Sequence, residues 1–145
     1  MRFVLRGYHR AAPMDSSDSA LTGQVAVVTG ASSGLGRATA LALAEAGATV
    51  GLLARGADDL ASIADALASR GHEALPVSCD LGDAEAPVGA VERIRAQLGP
   101  VRTLVNAAAT DAPGPVTELS FAAWDRVLAV NLRACSLSAD RSFRT

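Results

Sequence analysis

Thr29-Gly30-Ala31-Ser32-Ser33-Gly34-Leu35-Gly36 is the stretch that most restricts what this chain can become. The apolar run Val25-Ala26-Val27-Val28 leads into it, and an Ala-rich segment that predicts a helix over residues 34–46, closed by Gly47, leads out. A strand, a glycine turn and a helix in that order place unpaired N–H groups and the positive end of a helix dipole at the turn, which favours an anion there. Gly30 permits the tight turn, Gly34 lets the backbone approach a phosphate, and Gly36 lets the helix press against the sheet. Ser32 and Ser33 add hydroxyl donors, and Leu35 lies between the glycines. In this strand, turn and helix context the stretch reads as a dinucleotide pyrophosphate site rather than a glycine-containing loop.

The remainder continues the alternation. A second strand is expected over residues 49–54, and Leu60, Ile63, Ala64 and Leu67 then recur at helical spacing, with Asp58, Asp59, Ser62 and Asp65 opposite, until Gly71. A third strand over residues 74–79 and a helix over 84–98 follow, the latter carrying Val88, Val91, Ile94 and Leu98 along one side and ending at Gly99-Pro100. A short fourth strand over residues 103–106 leads through Pro113-Gly114-Pro115 to a helix whose expected N-cap is Ser120. Strict alternation implies an α/β fold, a parallel sheet with right-handed crossovers and helices on both faces; with the glycine turn it is expected to be a Rossmann-type, doubly wound sheet in three α/β/α layers, here partial, with strands 1–4 in the order 3-2-1-4. Ligands of such sheets bind at the C-terminal ends of the strands.

Three segments are expected: a flexible extension over residues 1–20, the dinucleotide-binding unit over 21–134, and an irregular tail over 135–145. The extension holds Arg2, Arg6 and Arg10, then Pro13 and a Ser/Asp run; a transit peptide or a start at Met14 are its other readings. In 145 residues with a formal charge of -2, no basic surface recruits nucleic acid or anionic lipid. No stretch reaches the roughly 20 apolar residues of a spanning helix. Cys79 and Cys135 have neither metal-ligand spacing nor the density of a disulfide framework, so no metal is expected and a reducing, cytoplasmic setting fits.

The spacing T-G-x-x-x-G-x-G over residues 29–36 resembles the cofactor turn of the short-chain dehydrogenase/reductase family. Cys79-Asp80-Leu81, Leu104-Val105-Asn106-Ala107-Ala108-Ala109 and Val130-Asn131-Leu132 resemble three further landmarks of that family, in the right order over residues 21–134. The resemblance implies a nicotinamide dinucleotide cofactor and hydride transfer between it and a small carbonyl or alcohol substrate, in a parent enzyme that is a homo-oligomer. It implies that Asp80, with Leu81 beside it, holds the adenine amino group, and that Asn106, Ala107 and Ala108 support the nicotinamide ribose side. Ala107 and Ala109 depart from the family's second Asn and its Gly. Asn131 is carried over as a catalytic-site residue that bends its helix and anchors a water in a proton relay. Its spacing from Trp124, Val127 and Leu128 also predicts an amide buried on the helix's apolar face.

At the end of the second strand an acid would hold a ribose 2′-hydroxyl, whereas an Arg attracts a 2′-phosphate. Ala54 stands where the acid is expected and Arg55 follows it, so NADP is favoured, with NAD the alternative. The family's Ser and Y-x-x-x-K have no counterpart: all 13 basic residues are Arg, the only Tyr is Tyr8, and Ser136, Ser138 and Ser142 come too soon after Asn131. The expectation is the cofactor half of an oxidoreductase, truncated or frame-shifted before its catalytic elements and inactive alone. A non-catalytic nucleotide-binding module acting through a partner chain, or a non-functional gene fragment, are the competing readings.

Overall fold

Val25–Thr29 forms β1, and all five residues are buried, as a central strand covered on both faces requires. Side chains alternate across it: Ala26 and Val28 enter one apolar cluster, Val25 and Val27 the other. In the computed structural model, which describes residues 19–143, β1 is followed by α1 (Gly34–Glu45), β2 (Thr49–Ala54), α2 (Ala57–Ala68), β3 (Ala74–Ser78), α3 (Ala86–Leu98) and β4 (Val101–Asn106). A single 3-10 turn (Val116–Glu118) precedes α4 (Phe121–Leu128), a π-helical segment (Ala129–Arg133) and α5 (Ala134–Phe143). All but the last two residues of the N-terminal extension lie outside the described residues.

The four strands are parallel in the order β3-β2-β1-β4, with Val25 paired to Thr49 and Thr29 to Asn106 at opposite ends of β1. One face buries Ala40 and Ala44 of α1 and Leu60, Ile63 and Leu67 of α2 against Val28, Val50 and Leu52. The other buries Val91 and Ile94 of α3 and Ala134 of α5 against Val27, Leu53 and Val101. These are the three layers of the expected Rossmann-type unit. Ser120 caps α4, its hydroxyl accepting from the Ala123 amide at 3.2 Å.

The end of the chain corrects the expectation of an irregular tail. Residues 134–143 are helical, and α5 lies against α3 and β4. Its buried face is Ala134, Ser138 and Ser142, at four-residue spacing. A stripe of small residues lets helices approach closely, yet two serines hide it from a search for apolar periodicity. Polar contacts fasten the helix: Arg95 donates to the Arg141 carbonyl at 2.8 Å, and Arg141 donates to Glu92 at 3.2 Å.

The Ser138 and Ser142 hydroxyls are buried with no hydrogen-bond partner among the described residues. An unpaired buried hydroxyl costs free energy that a methyl group does not. Ser138→Ala is therefore expected to raise stability by about 1 kcal/mol in urea denaturation, and a loss of stability would contradict this packing.

Candidate functional site

β1 and β4 separate beyond Thr29 and Asn106, and the gap is spanned by one hydroxyl. Thr29 Oγ1 accepts from the amides of Ala107 at 3.1 Å and Ala108 at 3.2 Å, and lies 3.5 Å from the Val105 carbonyl. Gly30 follows with φ +68°, and a Cβ there would stand 2.8 Å from the Ala108 backbone. A Cβ on Gly36 would run into the Gly30 carbonyl. Strand end, helix start and β4 loop thus meet backbone to backbone, which only glycine permits at both positions.

Around this junction a cleft of about 700 Å³ crosses the C-terminal ends of the strands. It is lined by the glycine turn, by residues 54–56 at the end of β2, by residues 79–81 after β3 and by residues 107–110 after β4, with Arg126 of α4 and Val130 reaching in. The N-terminus of α1 opens into it. Ser33 occupies the N-cap without a side-chain cap bond. Gly34 has φ +52° with open space where its Cβ would be, and Leu35 beside it is 77% exposed. First-turn amides, two serines and an unfilled cradle form the donor set that a pyrophosphate needs.

Of the residues singled out from sequence, Gly30, Ser32, Ser33, Gly34, Leu35, Gly36, Arg55, Asp80, Leu81, Ala107 and Ala108 all line this cleft. Asn106 and Asn131 do not. Asn106 ends β4 exposed, and the ends of β1 and β4 are tied by Thr29. Asn131 is exposed rather than buried, because the Trp124 and Leu128 side of α4 is itself exposed, at 49% and 40%. The π turn then resets the helical phase, and Ala129 and Val130 within it, with Ala134 just beyond, form the buried face. The Asn131 amide is nonetheless fully engaged, donating to the Thr110 carbonyl and accepting from the Thr110 amide, both at 2.9 Å. It steadies the β4 loop from outside the cleft.

The charges in the cleft were only partly foreseen. Arg55 is exposed at the end of β2, where its carbonyl accepts from Ser78 Oγ at 2.9 Å. Asp59, read from sequence as the solvent face of α2, lines the same end. Arg126 was missed altogether. Its Nη2 donates to Asp80 Oδ1 at 2.8 Å, and together with the Gly82 amide it holds the Asp80 carboxyl below the usual carboxylate range. Asp83 is also lowered, by the amides of Glu85 and Ala86. Burial pushes the Cys79 thiol up to about 11, with Asp80 and Asp83 adding to the effect.

The architecture is that of a parallel α/β unit with its crevice at a helix N-terminus, the arrangement shared by dinucleotide-binding folds. The family model for short chain dehydrogenases matches residues 24–142, and the chain belongs to that family. The cis-4-hydroxycyclohexanecarboxylate dehydrogenase of Sinomonas cyclohexanicum is 43% identical over 124 residues, a match covering 83% of this chain and 49% of that protein. A metagenomic short-chain oxidoreductase in complex with NADP superposes with a TM-score of 0.80 at 38% identity, covering 83% of this chain and 55% of that one. A blue fluorescent protein from a metagenomic library in complex with NADPH gives a TM-score of 0.81 at 32% identity, covering 84% and 51%. The chain spans about half the length of the curated relatives it matches. Among the described residues no helix is long and apolar enough to cross a membrane, and no group of three or more His, Cys, Asp or Glu is placed to hold a metal.

A raised pKa keeps Cys79 protonated at neutral pH, and the thiolate is the nucleophile. At pH 8 in the native protein, Cys79 is expected to react with iodoacetamide about a hundredfold more slowly than an ordinary thiol. In urea both cysteines should react at the ordinary rate; rapid native labelling at Cys79, read by peptide mass mapping, would contradict its burial.

Proposed function

We propose that this chain binds a nicotinamide dinucleotide, with NADP preferred, as the cofactor half of an oxidoreductase of the short chain dehydrogenase family. The observation that carries the reading is the α1 N-terminus: an uncapped helix start, with an open cradle at Gly34, facing a cleft at the strand ends. The pyrophosphate would lie on the amides of residues 33–36, with the Ser32 and Ser33 hydroxyls beside it. Gly30 and Gly36 keep strand and helix close enough for those amides to converge. The NADPH and NADP complexes of the two structural neighbours support the same reading.

In this proposal each strand end has one task. Arg55, after β2, offers a forked donor to a 2′-phosphate. Asp80 and Leu81, after β3, receive the adenine: the carboxylate accepts from its amino group and the buried Leu81 offers an apolar contact. Ala107 and Ala108, whose amides Thr29 holds, form the wall on the nicotinamide ribose side, with Asn106 beneath them at the strand end. Asn131 fixes that wall through Thr110, as a positioning residue. Bound there, the dinucleotide supplies or accepts the hydride that interconverts a small carbonyl compound and its alcohol. The 145 residues contain no Lys, and their only Tyr precedes the glycine turn, so as they stand they are expected to bind without turnover. In the parent enzyme, a homo-oligomer working in the cytoplasm is the setting that fits this reading.

Trp124, the only tryptophan, lies two residues from the cleft-lining Arg126 and serves as the reporter. Fluorescence titration should give saturable binding, tighter for NADPH than for NADH. Arg55→Asp should weaken NADPH binding about tenfold or more while leaving NADH within about twofold. An unchanged NADPH affinity would remove Arg55 from the phosphate site, and no response to either nucleotide would defeat the proposal.

A further inference from the structure

The loop after β3 is clasped by two arginines from one continuous helical run. Arg126 of α4 reaches Asp80, and Arg133 of the π-helical segment donates from Nη2 to the Gly82 carbonyl at 2.7 Å. Gly82 carries no side chain where one would collide with the Arg126 guanidinium, so the guanidinium lies directly over the loop backbone. Asp80 Oδ1 is held from two sides, by Arg126 Nη2 at 2.8 Å and by the Gly82 amide at 2.9 Å. Asp80 Oδ2 takes no hydrogen bond among the described residues. Both Asp80 and Arg126 line the cleft.

Stability is a weak reason for this pair. Its side chains are 48% and 40% exposed, and ion pairs in that position contribute little once solvent screening is counted. Geometry gives a better one. The two bonds leave the carboxylate one unused oxygen, and two charge-assisted donors restrict how it can turn. An acceptor fixed before binding spares a ligand the cost of ordering it. The guanidinium cannot itself bind an amino group, since both are donors. Its influence on that amino group has to pass through the carboxylate.

We propose that Arg126 is a positioning residue for adenine recognition: by pinning one Asp80 oxygen to the loop it presents the other to the exocyclic amino group of the adenine ring. The inference rests on the dinucleotide reading above and adds to it a residue on α4 that sets base selectivity. Gly82 and Arg133 are the supports of the clasp, one by leaving room for the guanidinium and the other by holding the loop carbonyl.

The test compares NADPH with its hypoxanthine analogue, in which an oxygen replaces the amino group, on the purified full chain. An oriented carboxylate accepts from the amino group and repels the oxygen. The unmodified chain is expected to prefer the adenine form by about tenfold. Arg126→Ala should reduce that preference to about twofold or less, mainly by weakening NADPH, and Arg126→Lys should restore part of it. Gly82→Ala, which displaces the guanidinium without removing its charge, should act in the same direction and provides an independent route if Arg126→Ala proves unfolded by circular dichroism. Equal weakening of both nucleotides with the preference kept would mean a merely structural role and would overturn the inference. So would an unmodified chain that binds both forms equally, although the dinucleotide reading would survive. Binding of neither form would sink that reading, and this inference with it.

Discussion

The approach of three backbone segments at Gly30 is the constraint on which the cleft depends. β1 ends just before it, α1 begins four residues later and sets Gly36 against the Gly30 carbonyl, and the β4 loop closes over the other side at Ala108. A side chain at either glycine would drive these segments apart. Thr29 supplies the polar half of the same junction, because its hydroxyl satisfies two loop amides that would otherwise be left unpaired beside a buried strand end. The amides at the start of α1 then point into the cleft because the turn before them has no other course.

The second organising feature is the change of helical phase between α4 and α5. α4 exposes Phe121, Trp124 and Leu128, whereas the turn beyond it buries Val130 and Ala134. One π-helical segment separates the two faces. By inserting a residue into the turn it lets Arg126 and Arg133 reach the β3 loop, Asn131 reach Thr110, and α5 settle on α3 and β4. A regular helix would hold one phase from residue 121 to 143 and could not serve all of these contacts at once.

Much of the fold was legible because its signals are local. The apolar run before Gly30, the Leu60, Ile63 and Leu67 spacing and the Ser120 cap each follow from the chain's own periodicity, and alternation implied a parallel sheet. Most of the cleft lining was legible for the same reason, since residues that follow a parallel strand converge at one end of the sheet. What could not be read depends on contacts between distant segments. Arg126 looks like any surface arginine on a helix until α4 is laid beside the β3 loop. Asn131 looks buried if the helix is regular, and no periodicity announces where a π turn will fall. The Ala134, Ser138 and Ser142 face of α5 is invisible to a search for large apolar residues.

These features place four strand ends and one helix start around a single cleft, with a cation after β2, a carboxylate after β3 and a wall of small residues after β4. The most direct test of the account is an amide-resolved NMR titration of the chain with NADPH. The account predicts that the largest shift changes fall on the backbone amides of residues 33–36, with smaller ones at Arg55, Asp80 and Ala108. Saturation binding that leaves those four amides unmoved would contradict it.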